Sequence, residues 1–307
     1  MSRTLPVVGT DLVGDAGATV TGLLAATLAR LDAADDDYSY VAGDPGEADG
    51  AGWSRLDQAL HDGSLDRWYR TVLAGEAKGL RNVAGALLAV SLSETITQTT
   101  FRALWTEGRV WPLRAESLAV RLHPDGWFDG IAVRSTCVRV LPGDPDAGDP
   151  DAEVVEDDAA LREVVADELV ALAAPIFAAV RQRAPFGMTG MWGHFVDAIA
   201  AGALWQGRQP RLQGDTKAAY ATAAALIDAI AARVPLVRPR PALDRVDWSG
   251  GTVWVAPKTA CCLLYQVYDL PPPECYCLSC PLRHGDSRRA EWASWLEEQA
   301  MAAKGGA

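Results

Sequence analysis

Five of the chain's six cysteines, Cys261, Cys262, Cys275, Cys277 and Cys280, fall within twenty residues. Thiols gathered this closely have few chemical uses: a disulfide framework, a redox dithiol, a zinc site or an iron–sulfur cluster. Disulfides fit least. The first residues show no charged segment followed by an apolar one, which sets a reducing compartment as the expectation. Adjacent cysteines such as Cys261 and Cys262 are also hard to bridge to each other, because a disulfide wants its Cα atoms well apart. Zinc usually draws its ligands from two pairs, each closed by a short knuckle turn, and only Cys277-Leu-Ser-Cys280 has that form. The other pair is contiguous, and neighbouring side chains diverge unless the backbone bends. Four thiolates around two bridged irons make a longer site and relax that demand. Spacing alone leaves both metals open.

The pattern Cys261-Cys262, a spacer, Cys277-x-x-Cys280 and then Pro281-Leu282 resembles the FhuF family of ferric-siderophore reductases, as do Lys258-Thr-Ala before the pair and Leu-Leu-Tyr265 after it. The resemblance is confined to the C-terminal end. It implies a [2Fe–2S] cluster on Cys261, Cys262, Cys277 and Cys280, with no catalytic residue beyond the cluster. Two features depart from the family pattern. The spacer from Leu263 to Tyr276 is longer, and it carries an extra thiol, Cys275, beside three consecutive prolines. Cys275 is therefore read as an outsider or an alternative ligand.

Composition bounds the rest. A chain of 307 residues, 49% hydrophobic and 22% charged, has the make-up of a globular protein with ample core. Its net charge of -12 argues against a nucleic-acid or anionic-membrane partner, which would repel it. The longest apolar stretch, Val164 to Val180, contains Asp167, Glu168 and Pro175, so no membrane span is expected.

The elements that must position the cysteines are legible as periodicities. The first twenty residues read as a loose lead-in, and Leu24, Thr27, Leu28 and Leu31 as a helix face. Gly43 to Gly52 reads as a surface loop, and Ser64 as the N-cap of an amphipathic helix bearing Leu65, Trp68, Tyr69, Val72 and Leu73. A helix over 78–104 puts Leu80, Val83, Ala84, Leu87 and Leu88 inward. Its later half carries Ser91, Ser93, Thr95, Thr97, Thr99 and Thr100, either close-packing hydroxyls or a pocket wall. Alternation over 117–141 around the turn His123-Pro-Asp-Gly126 predicts a β-hairpin with a slip near Ser135-Thr136. Cys137 inside it reads as a small buried apolar residue. The acidic run Asp144 to Asp158 reads as a solvated loop.

A helix is expected from Ala159 to about Arg183, followed by an irregular aromatic stretch, Pro185 to Phe195. Its glycines do not match a dinucleotide-binding fingerprint. Trp192 and His194, with Trp205, are read either as core or as a substrate pocket. Asp215 is expected to cap an Ala-rich helix to about Arg233, before a Pro/Arg linker. Thr252–Val255 reads as a strand leading into the cysteine pair. A closing helix from Asp286 or Ser287 puts Trp292, Trp295 and Leu296 on one face, poised to cover the cluster.

The expected architecture is α+β, mostly helical with a small antiparallel sheet; the resemblance implies a siderophore-binding body over 1–245 and a cluster-binding segment over 246–307. Lys258, Arg283 and His284 flank the cysteines, either as solvated loop charges or as groups that tune the cluster or dock a donor. The resemblance implies a cytoplasmic reductase. Its substrate would be a ferric siderophore, with the hydroxamate type favoured. Its electrons would come from outside, from a ferredoxin or an NAD(P)H-dependent reductase, since no NAD(P) or flavin fingerprint is present. Two other readings stand beside it: a zinc-stabilised siderophore-handling protein without redox activity, and a [2Fe–2S] electron carrier to another protein.

Overall fold

The computed structural model describes residues 22–35, 38–46, 51–208 and 215–305. The lead-in over 1–20 and part of the Gly43–Gly52 loop lie outside them. The architecture is α+β and mostly helical, as its periodicities predict.

After α1 (Leu23–Asp32), α2 (Leu56–Ala59) and α3 (Ser64–Ala74), the body is built around α4 (Arg81–Glu107), whose residues are buried around most of its circumference. A helix buried on so many sides must be enclosed, and two layers enclose this one. On one side lies a four-stranded sheet, β1 (Ser39–Ala42), β4 (Phe128–Val133), β3 (Leu118–Leu122) and β2 (Trp53–Arg55), in that spatial order. On the other side α6 (Met188–Arg208) runs against α4, and α7 (Thr216–Arg233) packs on both α6 and α5 (Asp158–Arg183). Glycine permits the close approaches: a Cβ on Gly85 of α4 would sit 2.5 Å from the Ala184 Cβ. Phe177 meets Trp192 edge-on at 5.0 Å and Phe195 at 5.8 Å, contacts worth roughly 0.5–1.5 kcal/mol each beyond their burial.

The hydroxyl stripe of α4 is structural. Ser93, Thr97, Thr99 and Thr100 donate to carbonyls one turn back, at 2.6–2.7 Å. Ser91 accepts from the Phe128 amide at 2.8 Å and Thr95 donates to the Phe128 carbonyl at 3.2 Å, which ties helix to sheet.

Several expectations change. The hairpin forms across β3 and β4 with Gly126 at φ 98°, but the chain leaves the sheet after Val133. Val138–Val140 (β5) pairs instead with Ala152–Val154 (β6), a parallel strand inside the acidic run. That run is not simply solvated, because buried arginines need its carboxylates. Arg109 bonds Asp144 at 2.6 Å and Asp146 at 2.7 Å, and Arg139 reaches Glu153 as well as Glu168. Cys137 is half-buried, with its thiol 3.6 Å from Glu153. Ser64 is the first residue of α3 (Ser64–Ala74) rather than its cap, and its amide donates to Asp62 at 2.8 Å. Leu80 precedes α4 and is exposed. The aromatic stretch after Pro185 is helical from Met188 onward. Asp215 does cap α7, accepting from the Ala218 amide at 2.9 Å.

After the linker, β7 (Asp244–Trp248) and β8 (Gly251–Val255) form an antiparallel hairpin. The final helix, α8 (Gly285–Gly305), packs on β7, where Arg289 pairs with Asp244 at 3.2 Å. Trp292 and Trp295 meet edge-on on it at 5.6 Å. The cysteines lie on the irregular chain between β8 and α8.

Candidate metal centre

Two arms carry the thiols. The first runs from Lys258 to Cys262 and the second from Cys275 to Cys280. The Lys258 amide donates to the Ser279 carbonyl at 2.9 Å and joins them. The second arm folds into the expected knuckle, its Cys280 amide donating to the Cys277 carbonyl at 3.1 Å. The contiguous pair is accommodated by a sharp bend directly after it, where Leu263 adopts φ 62°. A left-handed leucine costs roughly 1–2 kcal/mol, so the surrounding contacts must hold it there.

That bend turns amides toward sulfur. Leu263 N–H points at the Cys261 Sγ at 3.4 Å, Leu264 N–H serves Cys262, and Leu282 N–H serves Cys280. Each donor lies two residues beyond its cysteine. Such bonds favour thiolate over thiol and are one of the levers on iron–sulfur potential.

The thiols also interact with one another across the arms. Cys262 hydrogen-bonds Cys277, and Cys261 does so with Cys280. The bond from Cys262 outweighs burial and brings the Cys277 pKa down to about 7, with Lys258 helping. Donating that bond, together with burial, pushes Cys262 up. Burial raises Cys261 and Cys280. Cys277 is exposed at the surface and Cys280 is buried. Cys275 is also buried, beside Tyr276, and the pairings among thiols given above do not include it.

Three groups from the body, and Arg283 of the lobe itself, hold this segment. Asp197 of α6 accepts from Thr259 N–H at 2.8 Å, Thr259 Oγ1 at 2.9 Å and Ala260 N–H at 3.0 Å. Burial pushes its pKa up to about 6, against those bonds and Lys258. Arg283 is 7% exposed, and its guanidinium donates to the carbonyls of Cys277 at 3.1 Å and Tyr276 at 2.7 Å. At the start of α4, Asn82 bonds Gln266 at 2.9 Å and Lys78 reaches the Val267 carbonyl at 3.4 Å.

Lys258 is half-buried. Burial works against its ammonium, but Glu94, Cys262, Cys277 and Asp197 overcome this and leave its pKa raised. The three flanking charges thus separate. Lys258 faces the sulfurs, Arg283 clamps their loop, and His284 stays exposed at the start of α8.

Trp192 and His194 are both buried and face different neighbours. Trp192 is 3% exposed and packs into the Phe177–Phe195 cluster. His194 stacks on Phe186 at 5.8 Å and hydrogen-bonds the backbone at Cys261. Burial, with Lys258, brings its pKa down to about 3, so the ring is neutral, and its Nε2 has no partner. Trp205 is 47% exposed. The residues that sequence reasoning missed are Asp197 and Glu94. A lone carboxylate in the apolar run Phe195-Val-Asp-Ala-Ile-Ala200 was the available signal.

Among the described residues, no three His, Cys, Asp or Glu side chains surround one point as a single metal ion requires. Cys277 also interacts with Cys280 within the second arm, so the four thiols are linked in one chain, and four thiolates are the donor set a two-iron cluster uses. No helix among the described residues is long and apolar enough to cross a membrane. No family model and no curated protein matches the chain.

Proposed function

We propose that this chain is a [2Fe–2S] ferric-siderophore reductase of the kind its cysteine pattern resembles. The observation that carries the reading is the convergence of Cys261 and Cys262 with Cys277 and Cys280 under amides aimed at sulfur.

When bound, such a cluster supplies one electron at a time. The chain's own residues account for the rest. The four cysteines would hold the group, and the amides of Leu263, Leu264 and Leu282 would stabilise their thiolates. Lys258 places a positive charge beside Cys262 and Cys277, which opposes the negative charge of a thiolate-ligated site and raises its potential. Cys277 is the exposed cysteine of the four, so a substrate would approach such a group from its side. One electron converts siderophore-bound Fe(III) to Fe(II). The lower metal charge weakens the grip of hard anionic oxygen donors, and iron passes to other ligands. A ferredoxin or an NAD(P)H-dependent reductase restores the electron, and the compartment is the cytoplasm. Ferric hydroxamates are the favoured substrates.

The test is to mix dithionite-reduced protein anaerobically with ferric hydroxamate and catecholate complexes and an Fe(II) trap. Fe(II) release with one-electron stoichiometry supports the reading. A coloured protein that releases none is an electron carrier instead, and a colourless zinc protein would defeat both.

A further inference from the structure

We infer that Asp197 is a positioning residue: from α6 it fixes the Thr259–Ala260 turn that aims Cys261 and Cys262. The consequence for a cluster rests on the iron–sulfur reading, whereas the clamp itself does not.

Asp197 is buried in an otherwise apolar stretch of α6, between Val196 and Ala198. Burying a carboxylate is expensive unless donors satisfy it. Here both oxygens are satisfied by one short stretch of chain. Thr259 N–H lies 2.8 Å from Oδ1 and 2.9 Å from Oδ2, the Thr259 hydroxyl 2.9 Å from Oδ1, and Ala260 N–H 3.0 Å from Oδ2. One turn earlier, Gly193 lets that stretch lie directly on the helix, for a Cβ there would stand 2.8 Å from the Ala260 Cβ. The bonded residues end one position before Cys261. The geometry therefore assigns the placement of the first cysteine pair to α6, the helix that packs along α4.

This explains the long spacer. If the turn of the first arm is set by Asp197 and the carbonyls of the second by Arg283, the chain between them need not measure the distance. Extra residues, prolines and Cys275 are then tolerated without moving the four sulfurs.

Asp197→Asn replaces one acceptor oxygen with an NH2 group facing amide donors. In the metal-free protein, hydrogen exchange at Thr259 and Ala260 should become about tenfold faster or more, with α4 and α5 unchanged. In the iron-loaded protein, the electron paramagnetic resonance signal of the reduced state and its midpoint potential should both move. Thr259→Val removes only the hydroxyl bond and should give a smaller change of the same kind, while Thr259→Ser should restore wild-type behaviour. The threonine pair carries the test if Asp197→Asn does not fold. Unchanged exchange at these amides would overturn the clamp. Faster exchange with an identical signal and potential would overturn the positioning role. If exchange responds as expected but no preparation takes up iron, the clamp stands and the iron–sulfur reading falls.

Discussion

The helical body and the cysteine lobe are stabilised by opposite means. Around α4 and α6 the body encloses large apolar side chains, among them Trp68, Trp111, Phe101, Phe177 and Phe195 at under 2% exposure or close to it. From β7 onward the buried apolar residues, among those described, are only Val246, Val255, Ala260, Cys275 and Cys280. So small a core cannot hold an irregular loop in place. The lobe relies on polar clamps reaching in from the body and from its own Arg283, and on whatever ligand its thiols take. The lesson is a division of labour: apolar packing builds the platform, and directional hydrogen bonds transfer its rigidity to the sulfurs. On the proposed reading, metal binding and local order would be coupled, since ligands that must converge are costly to assemble without the metal.

Truncating the body should do the most damage. Phe177→Ala removes the ring that Trp192 and Phe195 pack against and should cost about 3–5 kcal/mol in global unfolding, measured by denaturant titration. The visible spectrum of the surviving folded fraction should stay unchanged. Arg283→Ala should invert that pattern. It frees two carbonyls of the second arm at a cost of about 1–3 kcal/mol, felt as faster exchange across residues 275–283, with the body's melting unmoved. Arg283→Lys should not rescue it, because an ammonium lacks the planar fork that reaches both carbonyls.

Acid offers a smaller and separate lever on the body. Burial would raise the pKa of Asp144, but its bonds to Arg109 win and hold it below the ordinary carboxylate value of 3.8. A depressed acid contributes stability that is present above its unfolded pKa and lost as pH falls through the folded one. Wild-type stability should therefore drop below about pH 4. Asp144→Asn should be less stable near neutrality by about 1–2 kcal/mol and show a flatter acid limb in pH-dependent calorimetry. The least effect is expected from Cys275→Ser, which should keep iron content and colour. A bleached variant would bring Cys275 into the ligand set.

What the sequence disclosed divides along the same line. Patterns local to a few residues were readable: the cysteine arms, the His123–Gly126 turn, the Asp215 cap and the helical periodicities. Interactions between distant residues were not. Nothing near Thr259 announces Asp197, sixty-two positions upstream, as its partner. The acids of 144–158 look solvated until Arg109 and Arg139 are seen folded against them. The stretch after Pro185 looked irregular because its glycines suggest loop. Within a packed helix the same residues serve close approach, Gly193 against Ala260 above all. Trp192 and His194 are separated by Gly193 alone, and a helix turns them toward different neighbours.

The central claim is that the four sulfurs of Cys261, Cys262, Cys277 and Cys280 hold a pair of bridged irons. Iron and acid-labile sulfide should be assayed together with the visible spectrum of anaerobically purified protein. Equal iron and sulfide at two of each per chain, with a red-brown absorbance that disappears in Cys261→Ser, is the predicted result. Colourless protein without iron or sulfide, even after reconstitution, would contradict it.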